Sequence, residues 1–349
     1  MPKLPPATLD DARRVLTHWN LAGEIVPISA GNLNATFKIV IDGQPQYILQ
    51  RLNPIFSPEV NEDIQAVTAH LKQKGLLTPT LVPTSSGESS AVIDGACWRV
   101  QTFVNGICHS RLSGSIEAQS VGELVGRFHV ALQDFTYTYR FARSGVHDTA
   151  AHVRRLRDAL EIHKGHRLYA SVAPMAYELL IDADHLPDFS KLPMRHSHGD
   201  LKINNVLFDP NGDAICLIDL DTLSLLPRPF EMGDALRSWC NPAGEDSTET
   251  YVDIDLFEAA LQGYGEVARP LWSKDEVQHL LPGYQTIILE LAARFLADAL
   301  NESYFGYDRS RFPAAGEHNL LRGEGQWNLY LDAKGNKHAL AKVVDRSFG

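Results

Sequence analysis

The stretch RHSHGDLKINNVLFD, residues 195–209, sets two histidines one residue apart, a carboxylate two places on, and paired asparagines ahead of an apolar run. Two chemistries use such residues. His196 and His198, at spacing i, i+2, would point the same way on a strand, with Asp200 as a third ligand to a transition metal. That reading leaves the asparagines unused, and no second His, Cys or Glu set at motif spacing stands nearby. Phosphoryl transfer uses more of the residues. It needs an oxygen acceptor to align the attacking hydroxyl, and oxygen ligands for Mg²⁺ on the nucleotide phosphates, because positioning and charge neutralisation supply most of the catalysis. His198-x-Asp200-x-x-x-x-Asn205 provides a carboxylate and an amide oxygen in one loop, and Asp219 follows on the next strand. In this reading Asp200 accepts or orients the hydroxyl proton, His198 braces the loop, and Asn205 and Asp219 coordinate Mg²⁺, a hard cation that prefers oxygen. Singly, Asp200 could cap a turn, Asn205 could satisfy backbone groups and Asp219 could be a strand-end charge. Jointly, four polar residues at fixed spacing about a hairpin favour phosphotransfer.

Around this loop the chain changes character once. The first hundred residues read as strands and turns: TFKIVIDGQPQYILQRL and SSAVIDGACWRVQTFV are β-branched and aromatic runs folded about Asp42-Gly43 and Asp94-Gly95. Between them Asn61 to Lys74 predicts a helix stopped by Gly75. From about residue 110 the period becomes helical, with Val121, Leu124, Val125, Phe128 and Leu132 on one face. Further helices are predicted at 149–161, 170–183, 253–263 and 274–302, the last opened by a Ser273/Glu276 capping box and interrupted by Pro282. Short strands return at NVLFD and AICLIDLD, joined by the turn Pro210-Asn211-Gly212-Asp213.

At 349 residues the chain exceeds one ordinary core, so two lobes about a cleft are expected. With 44% apolar and 21% charged residues it belongs with globular chains rather than disordered or membrane ones. A net charge of −11 and the lack of a basic stripe argue against a nucleic-acid partner. Cys97, Cys108, Cys216 and Cys240 form no CxxC pair, which predicts reduced thiols rather than a disulfide or zinc framework. The first residues lack the apolar core of a signal peptide and no stretch is long enough to span a bilayer, so a cytoplasmic protein without a membrane partner is expected. Covalent catalysis finds no GxSxG elbow and no motif-bearing cysteine.

HGDLKINN and LIDLD resemble the aminoglycoside phosphotransferase and choline kinase superfamily of protein-kinase-like enzymes. Stretches outside the loop are similar to those of bacterial N-acetylhexosamine 1-kinases: GNLNATF, YILQRLN, WRVQTFV, VHDT, IDLDT, GDALRS with AGED, and ARFLADALNESYF with EHNLLR. The resemblance implies an α+β, bilobal, protein-kinase-like fold. Residues 1–104 would form a small antiparallel-sheet lobe with one helix, and 105–349 a larger, mainly helical lobe. ATP and Mg²⁺ are the implied cofactors, and the implied partner is a small-molecule acceptor, a sugar. AGNLNATF would stand in for a glycine-rich phosphate loop, with Gly31, Asn32 and Asn34 admitting backbone amides to phosphates. The strand that should carry a phosphate-pairing lysine reads YILQRL and has none; Arg51 is the replacement favoured over Gln50, with Glu62 as its ion-pair partner. Gln101 to Val104 would be the adenine hinge. Asp234, expected to open a helix, would brace the catalytic loop. For the acceptor the resemblance points to His147-Asp148-Thr149, Thr222, Arg237, Glu245-Asp246, Arg294 and Tyr304, types that suit a hydroxyl-rich ligand.

Other acceptors stay open at this point: an aminoglycoside, whose positive charge the acidic chain would attract, choline or homoserine. The missing lysine also leaves open a pseudokinase that binds nucleotide without turnover. Retention of Asp200, Asn205 and Asp219 together speaks against it.

Overall fold

Asp42 and Gly43 both take positive φ, 52° and 74°, and so do Asp94 and Gly95, at 51° and 76°. These are the primed two-residue turns whose twist matches antiparallel strands, and they build the first of two units. The computed structural model describes residues 7–28, 34–141 and 145–349. Gly31 and Asn32 lie outside them. The first unit comprises 1–106, 134–143 and 216–223, and the second the remainder. A single cut after residue 104 was expected; instead two later segments return to the first unit. Asp63 accepts Tyr137 Oη and the amides of Arg140 and Phe141, each at 2.9 Å, which holds the 134–143 segment. The 216–223 segment is held through Asp221, described below.

The first unit orders its strands β1-β2-β3-β6-β4, with β5 on β6. They are β1 (Glu24–Ile28), β2 (Ala35–Ile41), β3 (Gln44–Arg51), β4 (Leu81–Val82), β5 (Ala91–Ile93) and β6 (Ala96–Thr102). Alternation sends Phe37, Ile39, Leu49, Trp98 and Val100 to one face, where Ala12, Val15 and Leu16 of helix α1 (Leu9–Leu16) cover them. The opposite face of β3 and β6 carries Gln50 and Arg99, which are directly opposed. Helix α2 is Val60–Gln73, as predicted. One helix was expected and two are present. In α1, apolar Ala12, Val15 and Leu16 are masked by Asp10, Asp11, Arg13 and Arg14, although the Thr8/Asp11 capping box marks its start.

The second unit contains β7 (Ile107–Cys108), α3 (Ser115–Ala131), α4 (Thr149–Ile162), α5 (Tyr169–Ala183), β8 (Met194–Ser197), β9 (Val206–Phe208), the start of β10 (Ala214–Leu217) and β11 (Ser224–Pro227). Helices α6 (Arg228–Trp239), α7 (Ile254–Ala268), α8 (Lys274–Asn301), α9 (Ala315–Gly335) and α10 (Lys337–Phe348) complete it. The predicted α3 face, Val121 to Leu132, is buried throughout. The Ser273/Glu276 capping box opens α8, but Pro282 does not interrupt it. Proline removes one donor, and Gln278, whose carbonyl loses its partner, is exposed and open to water. Asp234 lies inside α6 rather than at its start, because Pro229 nucleates the helix at Arg228. Among the described residues no helix is long and apolar enough to cross a membrane. Cys97, Cys216 and Cys240 are buried, while Cys108 is exposed, and none of the four is in a disulfide.

Helices α3 and α7 approach through glycine. A Cβ on Gly122 would stand 2.1 Å from the Ala260 carbonyl oxygen, and one on Gly263 equally close to that of Gln119. Alanine at 122 gains about 1 kcal/mol of helix propensity, but overpacking against backbone costs about 1–3 kcal/mol, here at the upper end. Thermal unfolding of Gly122→Ala should therefore fall by roughly 2–4 °C; a rise would show that the crossing is not tight.

Candidate active site

β8 pairs antiparallel with β11, Ser197 opposite Ser224 and Met194 opposite Pro227, and β11 runs straight into α6. The segment after β8 is thereby laid along one face of α6, on which Glu231, Asp234 and Ser238 recur at i, i+3 and i+7. Each accepts loop amides. Glu231 Oε1 takes the His198 N–H at 2.7 Å and Oε2 that of Gly199 at 3.0 Å. Asp234 Oδ2 takes Leu201 N–H at 2.8 Å, and Ser238 Oγ takes Ile203 N–H at 3.0 Å. Trp239 Nε1 donates to the Leu201 carbonyl at 2.8 Å. Gly199, at φ 79°, supplies the left-handed residue that turns the chain between His198 and Asp200. Burial opposes charge on Glu231, but His129, nearby His198 and the His198 amide hold its carboxyl below the usual range. Spacing could have identified Glu231 and Ser238 as well as Asp234; only their partners lay too far along the chain to infer.

Asp200 is only partly covered, and its Oδ2 accepts Lys202 Nζ at 2.6 Å. Burial would raise its carboxyl, but the Lys202 ammonium, with help from His198 and Arg237, brings it to about 2. Lys202, missed in the sequence, was legible there as a base two residues after the carboxylate. Asn205 is buried and donates its Nδ2 to the Asp200 carbonyl at 2.9 Å, which leaves its amide oxygen as the acceptor end. An amide oxygen and carboxylates are the hard donors that Mg²⁺ takes alongside phosphate oxygens, so the residue types fit that ion. A histidine-based metal site does not form: β8 ends at Ser197, ending the strand alternation before His198, and no described residues gather three or more His, Cys, Asp or Glu for a metal.

In the first unit the candidate residues divide between the two sheet faces. Arg51 lies on the α1 face, its guanidinium 5.9 Å from the Trp98 ring centre; burial there lowers its pKa, and Asp11 of α1 opposes this. Glu62 does not pair with it. Its partner is Arg140, Nη1 to Oε2 at 2.6 Å, brought in by the returning segment. Gln50 lies on the other face, where Oε1 accepts Arg99 Nε at 2.9 Å, Arg99 Nη2 at 2.7 Å and Gln101 Nε2 at 2.9 Å. Gln101 belongs to β6, and Val104 follows just beyond that strand, outside regular secondary structure. Asn34 joins Asp221, Nδ2 to Oδ2 at 2.7 Å, and accepts the Asn53 amide at 2.8 Å. Asp219 has φ 65° and ψ 57° and opens the 3₁₀ turn Leu220–Thr222 that ends with Thr222.

The acceptor candidates in the second unit form two clusters. His147, at φ 53°, and Thr149 converge on buried Glu290: His147 Nδ1 lies 3.3 Å from Oε1, and Thr149 Oγ1 donates to Oε2 at 2.6 Å. Arg294 approaches the same carboxylate at 3.9 Å and lies over Phe305. Asp148 caps α4 through the Ala151 amide at 3.0 Å. Arg237 is buried and donates twice to Asp234 Oδ1, at 3.0 and 2.7 Å, with Glu245 at 3.6 Å. Asp246 accepts His318 at 2.9 Å and Arg322 at 2.6 Å. Tyr304 is exposed and gives its amide to Asp298 at 3.0 Å. The field of Asp234 also reaches His147, linking the Glu290 cluster to the loop.

The model of a family described as the phosphotransferase enzyme family matches residues 24–275. Among solved structures, the chain is similar to a microcompartment-associated aminopropanol kinase, at 14% identity over 96% of this chain and 99% of that one, TM-score 0.63. It is also similar to an amicoumacin kinase in complex with AMP-PNP, Ca²⁺ and Ami, at 14% identity over 91% and 92%, TM-score 0.61. A third is an aminoglycoside phosphotransferase from Alicyclobacillus acidocaldarius, at 18% identity over 99% and 97%, TM-score 0.60. The shared fold is the mixed one expected, an antiparallel sheet region followed by a helical part.

Burial works to lower the His147 pKa, but Glu290 overcomes it and raises the ring above its ordinary 6.5; burial works to raise Glu290, but His147 and Arg294 bring it from 4.5 to about 2. The Glu290 contribution is present above pH 4.5 and fades toward 2, and that of His147 is complete below 6.5 and fades as pH rises through its raised value. The urea midpoint difference between wild type and Glu290→Gln should peak between those limits. By ring-proton NMR, His147 should titrate above 6.5 in the wild type and below it in Glu290→Gln; an unchanged titration would separate the two groups.

Proposed function

The chain belongs to the phosphotransferase enzyme family, and from that premise we propose that it transfers the γ-phosphoryl group of ATP to a sugar hydroxyl, the anomeric hydroxyl of an N-acetylhexosamine. The observation that carries this reading is Asp200: an ionised carboxylate beside an ammonium, on a loop whose amides are tied to α6. A carboxyl brought to about 2 is a weak base, so Asp200 acts first by accepting the hydrogen bond of the acceptor hydroxyl and aiming its oxygen. The acceptor oxygen bonds to the γ-phosphorus as the bond to the β,γ-bridging oxygen breaks. The hydroxyl acidifies as that bond forms, its proton passes to Asp200, and ADP leaves. Lys202, 2.6 Å from Asp200 Oδ2, would offset the negative charge of the transferring group.

Asn205 and Asp219 are the proposed oxygen ligands of Mg²⁺, by their type and by their spacing from Asp200. When bound, the ion neutralises phosphate charge. The AMP-PNP and Ca²⁺ held by the amicoumacin kinase support a nucleoside triphosphate and a divalent cation. The sugar rests on the resemblance of the stretches quoted above. Buried Glu290, with His147 and Thr149, adds fixed hydrogen-bonding groups of the kind a polyol needs. Amino-alcohol and aminoglycoside acceptors, named for the related folds, are the competing substrates.

The test is ADP release with MgATP across N-acetylglucosamine, N-acetylgalactosamine, other hexoses, choline, homoserine, aminopropanol and kanamycin. Turnover confined to the N-acetylhexosamines, with loss of the reducing end, is the expected result. Asp200→Asn should lower kcat roughly 10²–10⁴-fold with little change in the KM for ATP. Turnover on an amine-bearing acceptor alone would overturn the sugar assignment and keep the mechanism.

A further inference from the structure

Arg99 is 1% exposed and Asp221 2%, yet neither belongs to the catalytic loop. The guanidinium spans both carboxylate oxygens of Asp221, Nη1 to Oδ1 and Nη2 to Oδ2, the latter at 3.0 Å. Gln50 fixes the fork from behind by accepting Nε and Nη2, and Asn61 Oδ1 of α2 receives Nη1 at 3.4 Å. Asn61 is itself anchored, Nδ2 to the Pro58 carbonyl at 2.9 Å. Asn34 completes the set on Asp221 Oδ2. All these residues lie in the first unit.

Two features of this network point to the metal. Gln50 occupies β3, the strand where a phosphate-pairing lysine was expected, and it carries no charge. The cation that pairs with a carboxylate on that sheet face enters instead from β6, and the carboxylate comes from the 219–222 turn rather than from α2. Second, Asp219 holds a left-handed backbone, φ 65° and ψ 57°, as a non-glycine residue directly before the turn that contains Asp221. Such a conformation persists where the surroundings over-determine it. The bidentate Arg99 on Asp221, two residues further on, is itself held by the amide side chains of Gln50 and Asn61 and supplies that constraint.

We propose that Arg99 and Asp221 are positioning residues for the divalent cation on the nucleotide, fixing the backbone from which Asp219 presents its carboxylate. The pair thus takes over, on a different strand and a different partner, the ordering that a lysine on β3 would give. This inference rests on the reading of Asp219 as a metal ligand.

The experiment measures ADP binding by calorimetry, with Mg²⁺ and with chelator, alongside thermal unfolding. Arg99→Lys keeps the charge and loses the fork. The double variant Arg99→Met with Asp221→Leu removes both buried charges, an exchange that is often neutral or stabilising. Both variants should bind MgADP roughly 10–100-fold more weakly than wild type, with metal-free ADP affinity unchanged. Arg99→Lys carries the test should the double variant not fold. MgADP affinity within about twofold of wild type in folded variants, or equal loss of both affinities, would overturn the inference. Asp219→Ala separates the two claims. If it keeps the preference for MgADP, the metal assignment fails and the inference with it; if it loses the preference while the Arg99 variants keep it, only the positioning role fails.

Discussion

Backbone amides turned inward need acceptors, and the 198–203 segment meets this demand with carboxylates rather than with a partner strand. Glu231 and Asp234, both buried on α6, accept three of its amides, and Ser238 accepts a fourth. An ionised acceptor makes a shorter and stronger bond than a carbonyl, so the loop is fixed without regular structure of its own. Asp200 is aimed because its neighbours on both sides are held, and Asn205 is turned because the Asp200 carbonyl takes its amide nitrogen. Asp234 is in turn compensated by Arg237, while Glu231 faces the buried His129 ring, whose own pKa burial lowers.

The first unit solves a related problem differently. Its sheet puts apolar side chains on the α1 face and a polar cluster on the other, and the cluster is organised by one arginine. Among the described residues eight donor–acceptor contacts converge on Arg99, Gln50 and Asp221, including a carboxylate that the chain delivers only after crossing the 198–205 loop and the hairpin. Return of the 216–223 segment to this unit is therefore a consequence of charge pairing, not of apolar packing alone. The metal-ligand candidate Asp219 belongs to the unit that holds the sheet.

Local signals were the legible ones. Asp-Gly turns, capping residues and helical periodicity act within a few residues, so both hairpins, α2 to α5 and the capping box of α8 could be read directly. The His-x-Asp-x-x-x-x-Asn loop was equally visible because its spacing is set by one turn of chain. What escaped depends on partners far along the sequence. Alternation places Gln50 and Arg51 on opposite faces, but only pairing with β6 decides which face meets α1. Glu62 was open to several arginines until the 134–143 segment supplied Arg140. Arg237 has the right chemistry for a sugar, yet its fork is turned to Asp234, three residues back on its own helix. Pro282 shows the opposite error: a strong local breaker is tolerated where the orphaned carbonyl faces water.

The most direct measurement is amide hydrogen exchange at His198, Gly199, Leu201 and Ile203 in the wild type and in Asp234→Asn. Protection of all four comparable with the core of α6 is the expected result, with Leu201 exchanging selectively faster in the variant. Rapid exchange of these amides in the folded wild type would contradict a loop held by the acidic face of α6, and with it the fixed aim of Asp200.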